Sequence, residues 1–177
     1  FVTFQINYPF WPRITNDGFS KENSAVASLE DVILSWPSSI DILSDKKGGA
    51  DITVLAKTTN NAWEQTSSFN IFPDSLPQPT QQKQFNLAVF AQGTINNAYP
   101  GEKNSEPTAG NSRIVVVGDS EFIHDSFINN TPDNLTFFQN LVDSLSFGSD
   151  LISIRSKEIS SRPITENLSD NTKIAIK

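Results

Sequence analysis

Four apolar, β-branched residues, Ile114 to Val117, follow one another without a polar interruption. Such a run suits a strand buried on both faces, as in a parallel sheet covered by helices. Gly118 breaks the run, and Asp119 is placed to cap a following helix, its charge facing the positive end of the helix dipole. Further on, Leu135, Phe138, Leu141, Val142 and Leu145 recur three or four residues apart. This spacing predicts a helix with that stripe on the core and Asn140 off it. Thr131, Pro132 and Asp133 supply its start signals, and Gly148 stands where a C-cap is expected. Leu151, Ile152 and Ile154 then resume an extended pattern. The order strand, helix, strand fits a right-handed crossover returning to one sheet, and an α/β fold class.

Upstream the pattern is shorter-ranged. Val2, Phe4 and Ile6 alternate with polar residues, the period of a half-buried strand. Residues 25–29 suit one helical turn, and residues 32–36 a strand ended by Pro37. Residues 52–57 and 85–92 are further strand candidates. Between those two strands, residues 72–84 are rich in Pro and Gln and read as an irregular connection. Pro100, Gly101, Pro107 and Gly110 mark residues 94–112 as a long exposed loop, a length usually associated with function.

Several of these segments carry a family resemblance. IVVVGDSEF (114–122), FFQNLVDSL (137–145) and DLISIRSKEISSRPI (150–164) look like the C-terminal part of the auxiliary ABC-transport domain of gliding-motility transporter subunits of the GldG type. YPFWPRI (8–14), LEDVILSWPSSIDI (29–42) and VLAKTTNNAW (54–63) are similar to that family in the same order. The resemblance implies a Rossmann-like or amidotransferase-like layered sheet with helices, present here as a partial domain without its N-terminal half. It also implies an extracytoplasmic (periplasmic) position, membrane anchors, no established catalytic residues, and a partner in the membrane subunit of an ABC transporter or another extracytoplasmic protein. Residues 159–177 lose hydrophobic periodicity and end in KIAIK; by resemblance they are a membrane-proximal tail, with Lys173 and Lys177 near the bilayer surface.

Composition narrows the classes. A chain of 177 residues with 37% hydrophobic content and thirteen Phe can bury one domain-sized core. It contains no run of about twenty apolar residues and no signal peptide. It begins at Phe1 and has no Met, which leads us to expect an excised piece of a longer protein. The net charge of -7 argues against nucleic acid as a partner, because phosphate binding needs clustered cations. Lys46 and Lys47 form the only adjacent basic pair and suit a solvated loop. Zero cysteines exclude disulfides, zinc-thiolate sites and a cysteine nucleophile.

Candidate chemistry centres on the turn after the apolar run. Gly118, Asp119 and Ser120 resemble the nucleophile block of SGNH-type esterases, with Ser120 as nucleophile. In that family the block opens the domain and is followed by motifs that supply the base; here it lies late, neither motif follows, and the single histidine is His124. Helix capping is therefore the favoured role of Asp119 and Ser120, and the catalytic expectation is none. Asp119, Glu121, His124 and Asp125 could supply metal ligands, yet a solvated helix face explains them more simply, and no metal is expected. No P-loop or G-x-G-x-x-G segment is present, so no cofactor is expected. Asp119, Ser120, Glu121 and Arg155 remain ligand-binding candidates. Arg155 and Arg162 would suit an anion only if they faced a crevice. Tyr8, Phe10, Trp11, Trp36 and Trp63 admit two uses, a carbohydrate or peptide platform and buried packing, and packing is the commoner. The preferred function is a non-catalytic auxiliary or binding domain of an ABC-type, gliding-motility-like system. A hydrolase and a small-ligand domain binding at the carboxyl ends of its strands are the alternatives.

Overall fold

In a computed structural model the described residues are 8–67, 69–77, 79, 81–97, 109–129 and 131–146. The expected strand at Val2 to Ile6, the Gly148 cap, the extended segment at 151–154, Arg155, Arg162 and the tail at 159–177 lie outside them.

Two of the expected strands form the centre of the molecule. Strand β3 (Gly49–Lys57) pairs antiparallel with β4 (Asn86–Asn96), and β4 pairs antiparallel with β5 (Ala109–Val117), giving the order β3-β4-β5. Leu87, Ala88, Val89 and Phe90 of the middle strand are all buried. A second, two-stranded sheet pairs β1 (Arg13–Thr15) with β2 (Asp31–Ile33), also antiparallel. Phe19 bridges to Ala56 and so ties the loop after β1 to β3.

The parallel, doubly buried strand expected at 114–117 is corrected on both counts. Val116 pairs with Val89 and Ile114 with Ala91 in an antiparallel hairpin. Val115 and Val117 pack against the core, whereas Ile114 and Val116 are 44% and 45% exposed. A short β-branched run reads the same whether one face or both are covered; the pairing partner decides. The loop expected at 94–112 is paired strand at both of its ends. Thr94 pairs with Asn111, Ile95 with Gly110 and Asn96 with Ala109; hydrogen-bonded pairing outweighs the weak strand propensity of Asn, Ser and Gly there.

The strand expected at 32–36 is confined to Asp31–Ile33. Beyond it, the Leu34 and Trp36 amides bond to the carbonyls of Pro12 and Phe10 at 3.2 and 2.8 Å. The helical turn at 25–29 forms, with the amides of Val26 and Ala27 bonding to the Asn23 carbonyl. Lys46 and Lys47 lie on an exposed turn.

Helix α1 (Asp125–Ile128) is one turn, and α2 (Pro132–Ser146) is the long helix that the start signals predict, with Pro132 in its first position. Its orientation differs from the expected one. Asn134, Phe137, Asn140, Leu141 and Ser144 are buried, whereas Leu135, Phe138, Val142 and Leu145 are 37–44% exposed. Of the predicted stripe only Leu141 faces the core, because the buried polar residues bond to backbone that would otherwise be unpaired. Asn134 receives the Ile33 amide at 3.0 Å and donates to the carbonyls of Ile33 and Phe122, each at 2.8 Å. Asn140 donates to the Ala25 carbonyl at 3.0 Å. Satisfying such groups outranks covering the apolar stripe. The core gathers Ile14, Phe19, Val26, Leu34, Leu55, Phe90 and Phe137 between the sheets and α2. The fold is a mixed helix-and-strand arrangement with antiparallel sheets, of the α/β class.

Candidate functional site

The turn singled out in the sequence is built from backbone contacts. The Gly118 amide donates to the Leu87 carbonyl at 2.9 Å, and its own carbonyl receives the Ser38 amide at 2.7 Å. A Cβ on Gly118 would lie 2.0 Å from the Ser38 oxygen, so only glycine fits this crossing. Asp119 is buried, and its carboxylate accepts from the Ser35 amide at 2.6 Å, the Ser35 hydroxyl at 3.4 Å and the Glu121 amide at 2.7 Å. It therefore ties the entry of the 3-10 turn Glu121–Ile123 to the chain just after β2; the N-cap of that turn is Ser120, whose side chain makes no capping bond, so the expected capping role is replaced by this local bridge.

Ser120 is exposed and its hydroxyl donates to Glu121 at 3.4 Å. His124 caps α1, its Nδ1 accepting from the Ser126 amide at 3.3 Å and lying 3.0 Å from the Ser126 hydroxyl. Ser120 and His124 thus point to different neighbours, and no nucleophile–base hydrogen bond joins them. Among the described residues no three His, Asp or Glu side chains converge on a metal-sized point. Arg13, paired with Asp31 across β1 and β2, is exposed. Hydrogen bonding to Asp31, with its charge, raises the Arg13 pKa above the ordinary value.

The residues that do converge are aromatic. Pro9 and Pro12 restrict the chain between them, and a turn closes where the Trp11 amide reaches the Tyr8 carbonyl at 3.2 Å. This sets Tyr8, Phe10 and Trp11 around Trp36, with Tyr8 and Trp11 edge-on to Trp36 at 6.2 and 5.3 Å. Phe10 meets Trp63 at 5.3 Å and Trp11 meets Phe127 of α1 at 5.2 Å. Trp36 adopts φ +47°, a backbone state that costs a bulky residue about 1–3 kcal/mol. It is held there by its amide bond to Phe10 and by its indole Nε1, which donates to the Tyr8 hydroxyl at 2.9 Å. That hydroxyl donates in turn to the Ile71 carbonyl at 3.0 Å. Trp11 and Trp36 remain 42% and 48% exposed, so packing alone does not consume them.

Beside this cluster opens a cleft of about 480 Å³, within the range of ligand sites. Phe85, just before β4, and Leu87, within it, line the cleft together with Phe10, Trp36, Trp63, Phe69 and Ile71. Glu64 is the sole charged residue of the lining among the described residues, and its carboxylate accepts from the Ser39 hydroxyl at 3.0 Å. Sequence reasoning picked out Phe10, Trp36 and Trp63 individually. It did not join them to one another or to residues 58–71 and 85–87; the available signal was the repeated coupling of aromatic residues with proline at 8–12 and 36–37. Asp119, Ser120 and Glu121 do not line the cleft, and Arg155 is outside the described residues.

No curated protein and no solved structure matches this chain. A family model described as "ABC-type uncharacterized transport system" matches residues 2–149. With a match over most of its length, the chain belongs to this auxiliary ABC-transport family.

Proposed function

We propose that this domain is a non-catalytic binding component of an ABC-type transport system, of the gliding-motility type, acting through its aromatic cleft. Family membership supports the transport context. The binding mode rests on one observation: the cleft presents ring faces and a single carboxylate, which accepts from the Ser39 hydroxyl at 3.0 Å. Ser120 and His124, which a hydrolase would use, are engaged separately by Glu121 and Ser126. The partner in this reading is the transporter's membrane subunit or a protein beside it, and the domain faces the periplasm in a membrane-anchored protein.

We further propose Rossmann-like layering that continues past β5. It is supported by the succession of β5 and α2 and by the apolar groups they leave exposed, Ile114 and Val116 on one and Leu135, Phe138, Val142 and Leu145 on the other. An additional layer would cover such groups.

Two measurements test the functional reading. Protease added to intact spheroplasts should digest the domain in the native protein; digestion only after lysis would defeat the proposed location. A photo-crosslinker placed at Thr66, on the cleft margin, should capture a transporter subunit in those spheroplasts. Capture from the exposed turn at Lys46 alone, with none from Thr66, would defeat the proposed role of the cleft.

A further inference from the structure

We infer that the cleft takes an extended, proline-rich peptide segment carrying a basic residue, in the polyproline II conformation. The inference rests on the proposed use of the cleft for binding and adds the chemistry of the occupant. Three features of the lining lead to it.

The first is the surface itself. Phe10, Trp36 and Trp63 supply aromatic walls, and Pro9, Pro12 and Pro37 stiffen the segments that carry them. Grooves of this composition accept pyrrolidine rings, which are apolar, flat and already restricted in the unbound peptide, so little conformational freedom is lost on docking. The pre-set position of Trp36, held at φ +47° by Phe10 and Tyr8, has the same consequence on the protein side.

The second is charge. Glu64 is the only ionisable residue of the lining among the described residues, and the Lys83 ammonium outside it is engaged over the ring of Phe85 at 4.8 Å. An Arg or Lys of the ligand therefore meets a complementary group in the lining itself, whereas phosphate and other anions meet none there.

The third is the state of the polar groups. A sugar presents many hydroxyls, each needing a partner. Several polar side chains around the cleft are already used within the protein. Ser39 donates to Glu64, the Thr58 hydroxyl bonds to the Thr59 carbonyl and the Phe85 amide, and the Trp36 indole bonds to Tyr8. What is left is mainly ring surface and one carboxylate, with the side chains of Ser38, Asn61 and Thr66, an inventory that a proline-rich basic segment matches better than a glycan.

The test uses fluorescence anisotropy with a labelled, end-blocked peptide of about ten residues, all proline except one central arginine. The wild-type domain should bind it saturably. Trp63→Ala should weaken binding about tenfold or more, as expected for a central aromatic anchor. Glu64→Gln should weaken the arginine peptide several-fold yet leave a leucine-centred counterpart unchanged. Trp63→Phe, which keeps a ring, should retain most of the affinity, and Trp63→Ala should keep the wild-type circular dichroism spectrum, which separates its loss of affinity from unfolding. Absence of saturable binding, binding indifferent to both Trp63→Ala and Glu64→Gln, or binding of cellotetraose in place of the peptide would each overturn the inference. Cross-linking from Thr66 to a transporter subunit alongside such a result would leave the binding role intact and reject only the peptide chemistry.

Discussion

Asp119 shows how a residue that reads as chemistry can be architecture. Its buried carboxylate receives two backbone amides and a hydroxyl, so removing it strands donors on both sides of the turn. Asp119→Ala should destabilise the domain by about 1–3 kcal/mol in urea titrations, with no esterase activity in wild type or variant. A burst of product from an activated ester, abolished by Ser120→Ala, would reverse this reading. Gly118 beside it is set by close approach: Gly118→Ala drives a Cβ into the Ser38 carbonyl, and should lower the urea midpoint by more than Gly110→Ala, where a Cβ meets nothing within 4 Å. Equal midpoints for the two variants would contradict the crossing of residues 38 and 118. Asn134 carries the same lesson in α2. It is fully buried and serves three backbone groups, so Asn134→Ala should cost about 2–4 kcal/mol despite deleting no apolar surface.

At the scale of elements, α2 is the case where periodicity predicted the element and misassigned its face. The expected stripe and the observed one are offset by one residue, about 100° around the helix. Both are regular: the expected stripe is 135, 138, 141, 142 and 145, while 134, 137, 140, 141 and 144 are buried, with Leu141 alone in both. Apolar counting favours the first; the unpaired edge of β2 and the Ala25 carbonyl recruit the second through Asn134 and Asn140. Phe137→Ala should therefore cost about 3–5 kcal/mol and Leu141→Ala about 2–5 kcal/mol. Val142→Ala, at a position 44% exposed, should fall well below both. A Val142→Ala loss matching that of Phe137→Ala in urea unfolding would restore the periodic assignment. The expectation that Asn140 stands off the core is overturned by the same geometry, since Asn140 is 2% exposed.

Over the whole molecule, stability is concentrated where β4 is covered by both neighbours and by side chains above and below. Amides of Ala88 to Phe90 should exchange slowest in deuterium, and the outward amides of β5, paired on one side only among the described residues, should exchange much faster. Equal protection along β5 would instead support a further strand beside it and the layered sheet proposed above. The cleft belongs to this scale as well, because Phe10, Trp36, Trp63, Ile71 and Phe85 meet only after folding. Local pattern was enough to find the strands at 52–57 and 85–92, the turn at 25–29 and the start of α2, since hydrophobic period and capping residues act within a few positions of one another. It was enough, too, for the α/β class and the family, which rest on the order of several such segments. Sheet direction, the face that α2 buries, the service of Asp119 to Ser35 and the assembly of the aromatic cleft were decided by tertiary structure. Each depends on a partner far away in the chain, and the strength of a hydrogen bond or ring contact is set by what lies across the gap, which sequence neighbours do not encode.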